Sequence, residues 1–329
     1  MTITRMCRVL DRPTMGQPIS PRSRHSGHSP VGRFNLVPLR RTVTTDLRQP
    51  CQRPQVQCDA GSVVPVVLRV EPDEEFDECA LLCVDGTVSG TRHRFVLDSG
   101  SATTQIADPG ALISASVVDE ETAEGLFGRA IVELVVLPDL TVPGLTSGRR
   151  TVHRLRTGGA GARSLLGLDI LSEYALLLDG PAATLHTTVA GGLAANLPLE
   201  RGTRGHCYLP VALPGGRVVR ALWDTGADIT VVDRELVTSH PELFTAVRSA
   251  LGTDAMGATM VTDVCRLKAY WIADVLFASH PVAVADLPEP MEMVLGYLTL
   301  RQAIWSMDLP AGRWGVRRAD VYSTGEPVL

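Results

Sequence analysis

The chain contains one short pattern twice, and this internal repeat limits its fold more than any other feature. In each copy an apolar run leads into an aspartate, a hydroxyl residue and a glycine: Asp98-Ser99-Gly100 and Asp224-Thr225-Gly226. A Leu-Gly block follows each copy. Gly167 lies 69 residues after Asp98, and Gly296 lies 72 residues after Asp224. Landmarks that recur in one order at similar spacing indicate two copies of one structural unit.

Both copies are predicted to consist of β-strands, because short runs rich in Val, Leu and Ile alternate with turn residues. Aromatic residues make up only 5% of the chain, so the core must be mainly aliphatic. Turns are predicted at Asp85-Gly86 and at 214–216, and a brief helix at 168–173. The predicted strands are Val63–Val70, Ala80–Val84, His93–Leu97, Thr103–Ile106, Ala130–Leu137, Thr151–Leu155, Leu176–Leu178, Tyr208–Leu213, Val218–Trp223 and Ile229–Val232.

The charge of the chain is uneven along its length. Residues 1–60 carry ten Arg and three Asp, a net +7, although the whole chain carries −5. This stretch has no apolar periodicity, which predicts a basic, disordered tail, and aromatic residues are not interleaved with the arginines as at a nucleic-acid interface. We therefore predict two lobes at 61–190 and 203–318, a linker at 191–202 and a C-terminal tail at 319–329.

Several classes of protein are disfavoured by composition. The seven Cys are odd in number and irregularly spaced, which does not predict a disulfide framework. Cys79 and Cys83 have no second Cys or His pair that would complete a metal site, so we expect no metal. The first 21 residues lack the apolar segment of a secretion signal, and no run approaches the ~18 apolar residues that span a bilayer. We expect a cytoplasmic protein that binds neither membrane nor nucleic acid.

The residue types of the repeated motif fit a paired acid site. A glycine lets the backbone turn sharply and lets another segment approach closely. The hydroxyls of Ser99 and Thr225 can hydrogen-bond across to their counterparts and lock two such turns together. Each carboxylate is then left at the end of a strand, facing a cleft.

These segments resemble the active-site segments of retropepsins, the aspartic proteases of retroviral type. The resemblance rests on 221–232 and 294–296 in the second half, and on 95–101 and 165–171 in the first half. It implies an all-β, bilobal fold of two pseudo-symmetric, barrel-like lobes with short helices. Retropepsins supply one aspartate from each subunit of a dimer, whereas this chain has both, as pepsins do.

The resemblance implies an aspartic-type endopeptidase that needs no cofactor and binds a peptide or protein substrate between the lobes. Asp98 and Asp224 are the implied catalytic residues. Two carboxylates a few ångströms apart cannot both ionise cheaply, so they share one proton. One acts as a base on a water molecule and the other donates to the scissile carbonyl. The residues implied to support the active-site turns are Ser99, Gly100, Ser101, Thr225, Gly226 and Ala227.

Differences between the two copies predict an asymmetric site. Ser101 follows Gly100, whereas Ala227 occupies the corresponding place in the second copy. A hydroxyl of Ser101 that donated to Asp98 would favour its ionised form, so we expect Asp224 to be the protonated partner.

Substrate contacts are also carried over from the family. Asp228 matches an aspartate that contacts substrate backbone, and Ala102 takes its place in the first copy. Flaps are expected between each aspartate and its Leu-Gly block. The proposed substrate-binding positions there are Gly125, Phe127, Gly128, Met256 and Gly257.

Three alternatives stay open at the level of sequence. The protease could act mainly on its own N-terminal tail, since residues 1–60 are predicted to be accessible. The same fold could serve as a catalytically silent peptide-binding or scaffold protein. We expect a monomer whose lobes pair within one chain, but each lobe could instead pair with a lobe of another chain.

Overall fold

The strands that hold the repeated motif lie in two related sheets, and a third sheet joins the two halves of the chain. The computed structural model describes residues 3–9, 64–73, 76–107, 112, 115–156, 161–191 and 194–319. The elements up to residue 188 are β1 Ile3–Val9, β2 Val64–Val66, β3 Leu68–Pro72, β4 Ala80–Val88, β5 Thr91–Leu97, β6 Gln105–Ile106, β7 Ser116–Glu124, β8 Arg129–Leu137, β9 Leu140–Thr141, β10 Arg150–Leu155, β11 Leu165–Leu166, α1 Leu168–Leu171, β12 Ala175–Asp179 and β13 Thr184–Thr188.

The second half repeats this sequence of elements with small differences. A 3-10 turn at Pro241–Leu243 precedes its longest strand. The elements are β14 Leu197–Pro198, β15 Glu200–Arg201, β16 Cys207–Ala212, β17 Val218–Trp223, β18 Thr230–Asp233, α2 Arg234–Ser239, β19 Phe244–Asp254, β20 Thr259–Leu267, β21 Tyr270–Ile272, β22 Val275–Phe277, β23 His280–Ala285, β24 Met293–Leu295, α3 Tyr297–Leu300, β25 Ala303–Asp308 and β26 Arg313–Arg318. The predicted all-β, bilobal fold with short helices is confirmed.

The two lobe sheets share one strand arrangement. In lobe 1 the order is β3-β4-β5-β11-β6-β10-β8-β7, and in lobe 2 the corresponding order is β16-β17-β24-β18-β23-β20-β19. In both, the strand before the aspartate runs parallel to the strand of the Leu-Gly block, which is antiparallel to the strand after the aspartate. The repeat seen in the sequence is therefore a repeat in strand pairing.

The third sheet takes strands from both halves of the chain, in the order β14-β26-β25-β12-β13-β2. Strand β12 of the first half pairs antiparallel with β25 of the second, with Leu178 opposite Trp305. The predicted linker contributes to these sheets as well, because Leu197–Pro198 pairs with β26 and Glu200–Arg201 pairs with β16. The lobes are thus joined by main-chain hydrogen bonds.

Aliphatic side chains and three tryptophans fill the core. Trp223, Trp305 and Trp314 are fully buried and belong to one cluster with residues of both lobes, whereas Trp271 is 41% exposed. The end of β17, Ala221–Trp223, is buried on both faces, as expected for a strand that has a neighbour on each side and layers above and below. This burial holds the start of the second motif rigidly.

Several local features differ from the sequence-based expectation, among them strands β7, β19 and β20, which were not predicted. Ile3–Val9 lies in the stretch predicted to be a disordered tail, yet it forms a strand that pairs with β19, while the rest of 1–60 and the tail 320–329 lie outside the described residues. Asp85-Gly86 lies inside β4, and the turn falls at Ser89-Gly90, where both residues have positive φ. Helix α2 was not predicted, although Asp233 caps it by accepting a hydrogen bond from the Glu235 amide.

Within the part of the chain that is described, none of the helices is long and apolar enough to cross a membrane.

Candidate active site

The two aspartates lie at the ends of equivalent strands and are fully buried, with 0% of either residue exposed. The Asp98 amide donates to the Leu166 carbonyl at 3.0 Å, and the Asp224 amide donates to the Leu295 carbonyl at 3.2 Å. Each Leu-Gly block therefore fixes the residue at which an active-site turn begins. This explains why the aspartate and the Leu-Gly block recur together.

The glycines bring the two carboxyl groups together. A Cβ added at Gly100 would lie 2.2 Å from Oδ2 of Asp224, and one added at Gly226 would lie 2.5 Å from Cγ of Asp98. Each carboxyl thus packs against the bare backbone of the opposite turn, and the Asp224 carboxyl hydrogen-bonds with that of Asp98. Only glycine at these positions allows this approach.

Four hydrogen bonds between the turns hold the pair in place. The Thr225 hydroxyl donates to the Leu97 carbonyl at 2.6 Å and accepts from the Ser99 amide at 3.0 Å. The Ser99 hydroxyl donates to the Trp223 carbonyl at 2.9 Å and accepts from the Thr225 amide at 3.0 Å. The hydroxyls join the turns through the opposite backbone, each using both its proton and a lone pair.

The electrostatics of the pair follow from burial and proximity. Burial, followed by the nearby charge of Asp98, raises the pKa of Asp224 to about 8. The Gly226 amide, which donates to Oδ1 of Asp224 at 2.9 Å, opposes this shift because it stabilises the ionised form. Because the carboxyls interact strongly, the apparent pKa values belong to the pair. Near neutral pH the arrangement holds one proton on two acids.

The role predicted for Ser101 is wrong. Its hydroxyl donates to the Thr103 carbonyl at 2.8 Å, so its proton is not directed at Asp98. The Ser101 amide donates to the Asp98 carbonyl at 3.4 Å, so the backbone turns here and brings the Thr103 carbonyl within reach of the hydroxyl. Ala227, the corresponding residue, is buried, and its carbonyl accepts from the Tyr297 amide. The raised pKa of Asp224 favours the prediction that Asp224 is the protonated partner. The cause is burial and the nearby charge of Asp98 rather than a hydrogen bond from Ser101.

The two lobes anchor their active-site strands differently. In lobe 1, Asp169 accepts hydrogen bonds from the Thr104 amide at 2.9 Å and the Thr104 hydroxyl at 2.8 Å. In lobe 2, where Leu298 takes the place of Asp169, the Thr299 hydroxyl contacts those of Thr230 at 2.7 Å and Tyr270 at 2.6 Å. A hydroxyl at the next position thus supplies the missing anchor.

Asp228 lies in the interior rather than on an open surface. It is 1% exposed. Burial, and next the charge of Asp228, raises the pKa of the Cys79 thiol, which places a residue of lobe 1 beside this carboxylate. A contact between Asp228 and substrate backbone stays a prediction.

The predicted flap positions lie at the tips of two hairpins, β7–β8 and β19–β20. Each tip packs against the opposite lobe. Leu126 and Phe127 of the first tip contact a cluster that contains Ala227, whereas Met256 of the second contacts a cluster that contains Val96. Each cluster includes a residue close in sequence to one of the aspartates, Ala227 or Val96. Their contact with substrate stays a prediction.

One residue that joins the two flaps was missed by sequence reasoning. Asp254, at the end of β19, accepts hydrogen bonds from the Phe127 amide at 2.9 Å and the Gly128 amide at 3.1 Å, both on the other flap. An aspartate before a Gly-containing turn is an ordinary turn residue. The sequence held no signal that its carboxylate reaches the other hairpin.

Among the described residues, no group of three or more His, Cys, Asp or Glu could hold a metal ion. The four cysteines in this part of the chain, Cys79, Cys83, Cys207 and Cys265, are buried and free.

Comparisons with known proteins agree with this geometry. Residues 209–298, which include Asp224, the second flap and the second Leu-Gly block, match the aspartyl protease family. Among 393 matching chains of solved structures is the aspartic proteinase from Irpex lacteus, with a TM-score of 0.53 and 12% sequence identity over 80% of this chain and 98% of that one. No curated protein sequence matches the chain. The resemblance to aspartic proteases is thereby confirmed, and the fold is that of an aspartic proteinase.

Proposed function

We propose that this protein is an aspartic-type endopeptidase whose catalytic residues are Asp98 and Asp224. The observation that carries the proposal is the buried, hydrogen-bonded pair of carboxyls at the ends of equivalent strands, with the pKa of Asp224 raised to about 8. The family match and the fold support peptidase activity in general. The pair supports the specific reaction, because such a site holds one acid and one base at once.

The proposed reaction uses a water molecule between the two carboxyls. The ionised Asp98 takes a proton from this water, whose oxygen attacks the scissile carbonyl carbon. Asp224 donates its proton to the carbonyl oxygen, and a tetrahedral intermediate forms. Its breakdown transfers a proton to the leaving amine, cleaves the C–N bond and returns the pair to its singly protonated state. No metal or organic cofactor takes part in this proposal.

The proposed substrate is a peptide or protein segment bound in extended form between the lobes. The two flap hairpins offer backbone groups for strand-like pairing, which suits extended chains. We expect a monomer, because both aspartates come from one chain and a shared sheet joins the lobes. Absence of nucleic-acid and membrane partners and a cytoplasmic location remain predictions.

The test is cleavage of a broad peptide library, read by mass spectrometry, by wild type, Asp224→Asn and a control variant, Asp274→Asn. Asp274 is an exposed carboxylate outside the site. We expect cleavage by wild type and the control, inhibition by pepstatin and no cleavage by Asp224→Asn. Persistent cleavage by Asp224→Asn would refute the proposed mechanism. Peptide binding without turnover by wild type would favour the silent scaffold instead.

One observation favours self-processing as a second candidate function. Ile3–Val9 forms a strand antiparallel to flap strand β19, with Ile3 opposite Asp254 at the flap tip. The N-terminal segment therefore already lies in extended form along a flap, as a peptide bound by strand addition would. Intact mass of purified wild type and Asp224→Asn tests this candidate. An identical, intact N-terminus in both proteins rules it out.

A further inference from the structure

The carboxylate of Asp254 lies in a cradle of four backbone amides and is completely buried. Its Oδ1 accepts from the amides of Met256 at 3.0 Å and Ala258 at 2.9 Å, which belong to its own hairpin turn. Its Oδ2 accepts from the amides of Phe127 at 2.9 Å and Gly128 at 3.1 Å, which belong to the flap of lobe 1. One carboxylate thus serves both flaps, with one oxygen for each.

The tip of lobe 1 is shaped to fit around this carboxylate. A Cβ added at Gly125 would lie 2.1 Å from Oδ2 of Asp254, and one added at Gly128 would lie 2.7 Å from the Cβ of Ala258. These distances leave no space for a side chain at either glycine. The two glycines that the sequence marked as flap positions therefore permit the close approach of the tips.

Separation of the flaps would break both cross-flap bonds together. Hydrogen bonds from amides to an ionised carboxylate are stronger than those between neutral groups, and a buried carboxylate depends on them. The residue of the other flap that corresponds to Asp254 makes no equivalent cross-flap hydrogen bond among the described residues. Glu124, at the corresponding end of β7, is exposed and pairs with Arg129 of its own hairpin at 3.0 Å. Both cross-flap hydrogen bonds thus have their acceptor on one residue of one flap.

We infer that Asp254 is a latch that holds the two flap tips together over the aspartate pair. It acts as a positioning residue, since it touches the flap backbones rather than the reacting atoms. Entry of substrate requires the latch to open, and its reclosure retains the substrate under the tips. The kinetic part of this inference rests on the proposed peptidase function, whereas the latch itself does not.

Amide hydrogen exchange, read by mass spectrometry on the full chain, tests the latch directly. In Asp254→Asn we expect exchange at the amides of Phe127 and Gly128 to rise about tenfold or more, because a hydrogen bond to a charged acceptor contributes at least this factor. The control is Asp263→Asn, which changes an exposed carboxylate on β20 of the same hairpin and should leave this exchange unchanged.

A second variant keeps the test decisive if Asp254→Asn folds poorly. Gly125→Ala leaves the carboxylate in place but adds a methyl group that would displace its Oδ2. We expect the same faster exchange at 127–128. If the amides of residues 127 and 128 exchanged at the wild-type rate in either folded variant, the inference that Asp254 is a latch would be overturned.

Kinetics distinguish a latch from a general structural role. With a fluorogenic peptide that wild type cleaves, Asp254→Asn should raise the rates of peptide association and dissociation about tenfold at nearly unchanged kcat and KM. The latch is closed in both the free and the bound enzyme and must open for either event, whereas contacts to the aspartate pair are intact. A lower kcat at unchanged KM would contradict this. If wild type cleaves no peptide, the proposed function fails, and the exchange experiment still decides the latch.

Discussion

The hydrogen bonds between the active-site turns give a quantitative prediction for Thr225→Val. Valine has nearly the shape of threonine but cannot replace its hydroxyl, which is buried and bridges the Leu97 carbonyl and the Ser99 amide. Both backbone groups would lose their partner. Each buried group left unsatisfied costs about 1–3 kcal/mol, and burial of the added methyl returns about 1 kcal/mol. We expect a net loss of about 3 kcal/mol in the free energy of unfolding.

Urea unfolding followed by tryptophan fluorescence measures this loss, since Trp223 is buried next to the turn. The slope with urea should not change, because both proteins expose the same surface when they unfold. Thr225→Ser is the matched control. It keeps the hydroxyl, removes one methyl and should cost about 1 kcal/mol.

The reasoning would be refuted if Thr225→Val lost less than about 1 kcal/mol, or if the serine and valine variants were equally destabilised. In the first case the turns are held by something other than these hydrogen bonds. In the second, the methyl rather than the hydroxyl of Thr225 is what matters.

Of four further predictions, two concern the shared proton, one concerns Gly226 and one concerns the anchor of lobe 2. Because the pKa of Asp224 is raised to about 8, the folded protein keeps a proton there that the unfolded chain releases above about pH 4. The stability contributed by this proton is complete below about pH 4 and is lost as the pH rises towards 8, at about 1.4 kcal/mol per pH unit. Urea unfolding at a series of pH values should show this fall for wild type relative to Asp224→Asn. Parallel curves for the two proteins would contradict the prediction. The pH–rate profile should fall as pH rises through about 8, when the pair loses its shared proton. In Gly226→Ala the added methyl group would lie 2.5 Å from Cγ of Asp98. We expect this variant to lose about 1–3 kcal/mol of stability and most of its peptidase activity. A kcat equal to that of wild type would refute this prediction. Tyr270→Phe removes the hydrogen bond to the Thr299 hydroxyl and should lower the free energy of unfolding by about 1–2 kcal/mol, while peptide cleavage persists. An unchanged thermal unfolding temperature would count against this prediction.

The positions of the two aspartates could be predicted from sequence because the evidence for them is local and occurs twice. An apolar run fixes a strand, a glycine permits the turn, and the same combination recurs with a Leu-Gly block at similar spacing. The equivalent strand order of the two lobe sheets has the same origin. The flap hairpins were less predictable, because only Ala130–Leu137, which matches β8, was predicted among their four strands, and the flap positions were carried over from the family.

Features that depend on strand neighbours could not be predicted in the same way. Alternation of apolar and polar residues tells which face of a strand is buried, but not which strand lies beside it. The third sheet pairs residues more than a hundred positions apart, such as Leu178 and Trp305. The strand at Ile3–Val9 is another case, since its partner β19 lies over two hundred residues away.

Partners of individual polar groups were the least predictable. Ser101 stands beside the active-site turn in sequence, yet the local curl of the chain directs its proton to the Thr103 carbonyl. Asp254 looks like a turn residue, yet it binds amides of the other hairpin. The sequence alone determined where two acids would end two strands. Tertiary structure decided what surrounds them, because a hydrogen bond is directional and short, and the approach of distant segments decides which groups it joins.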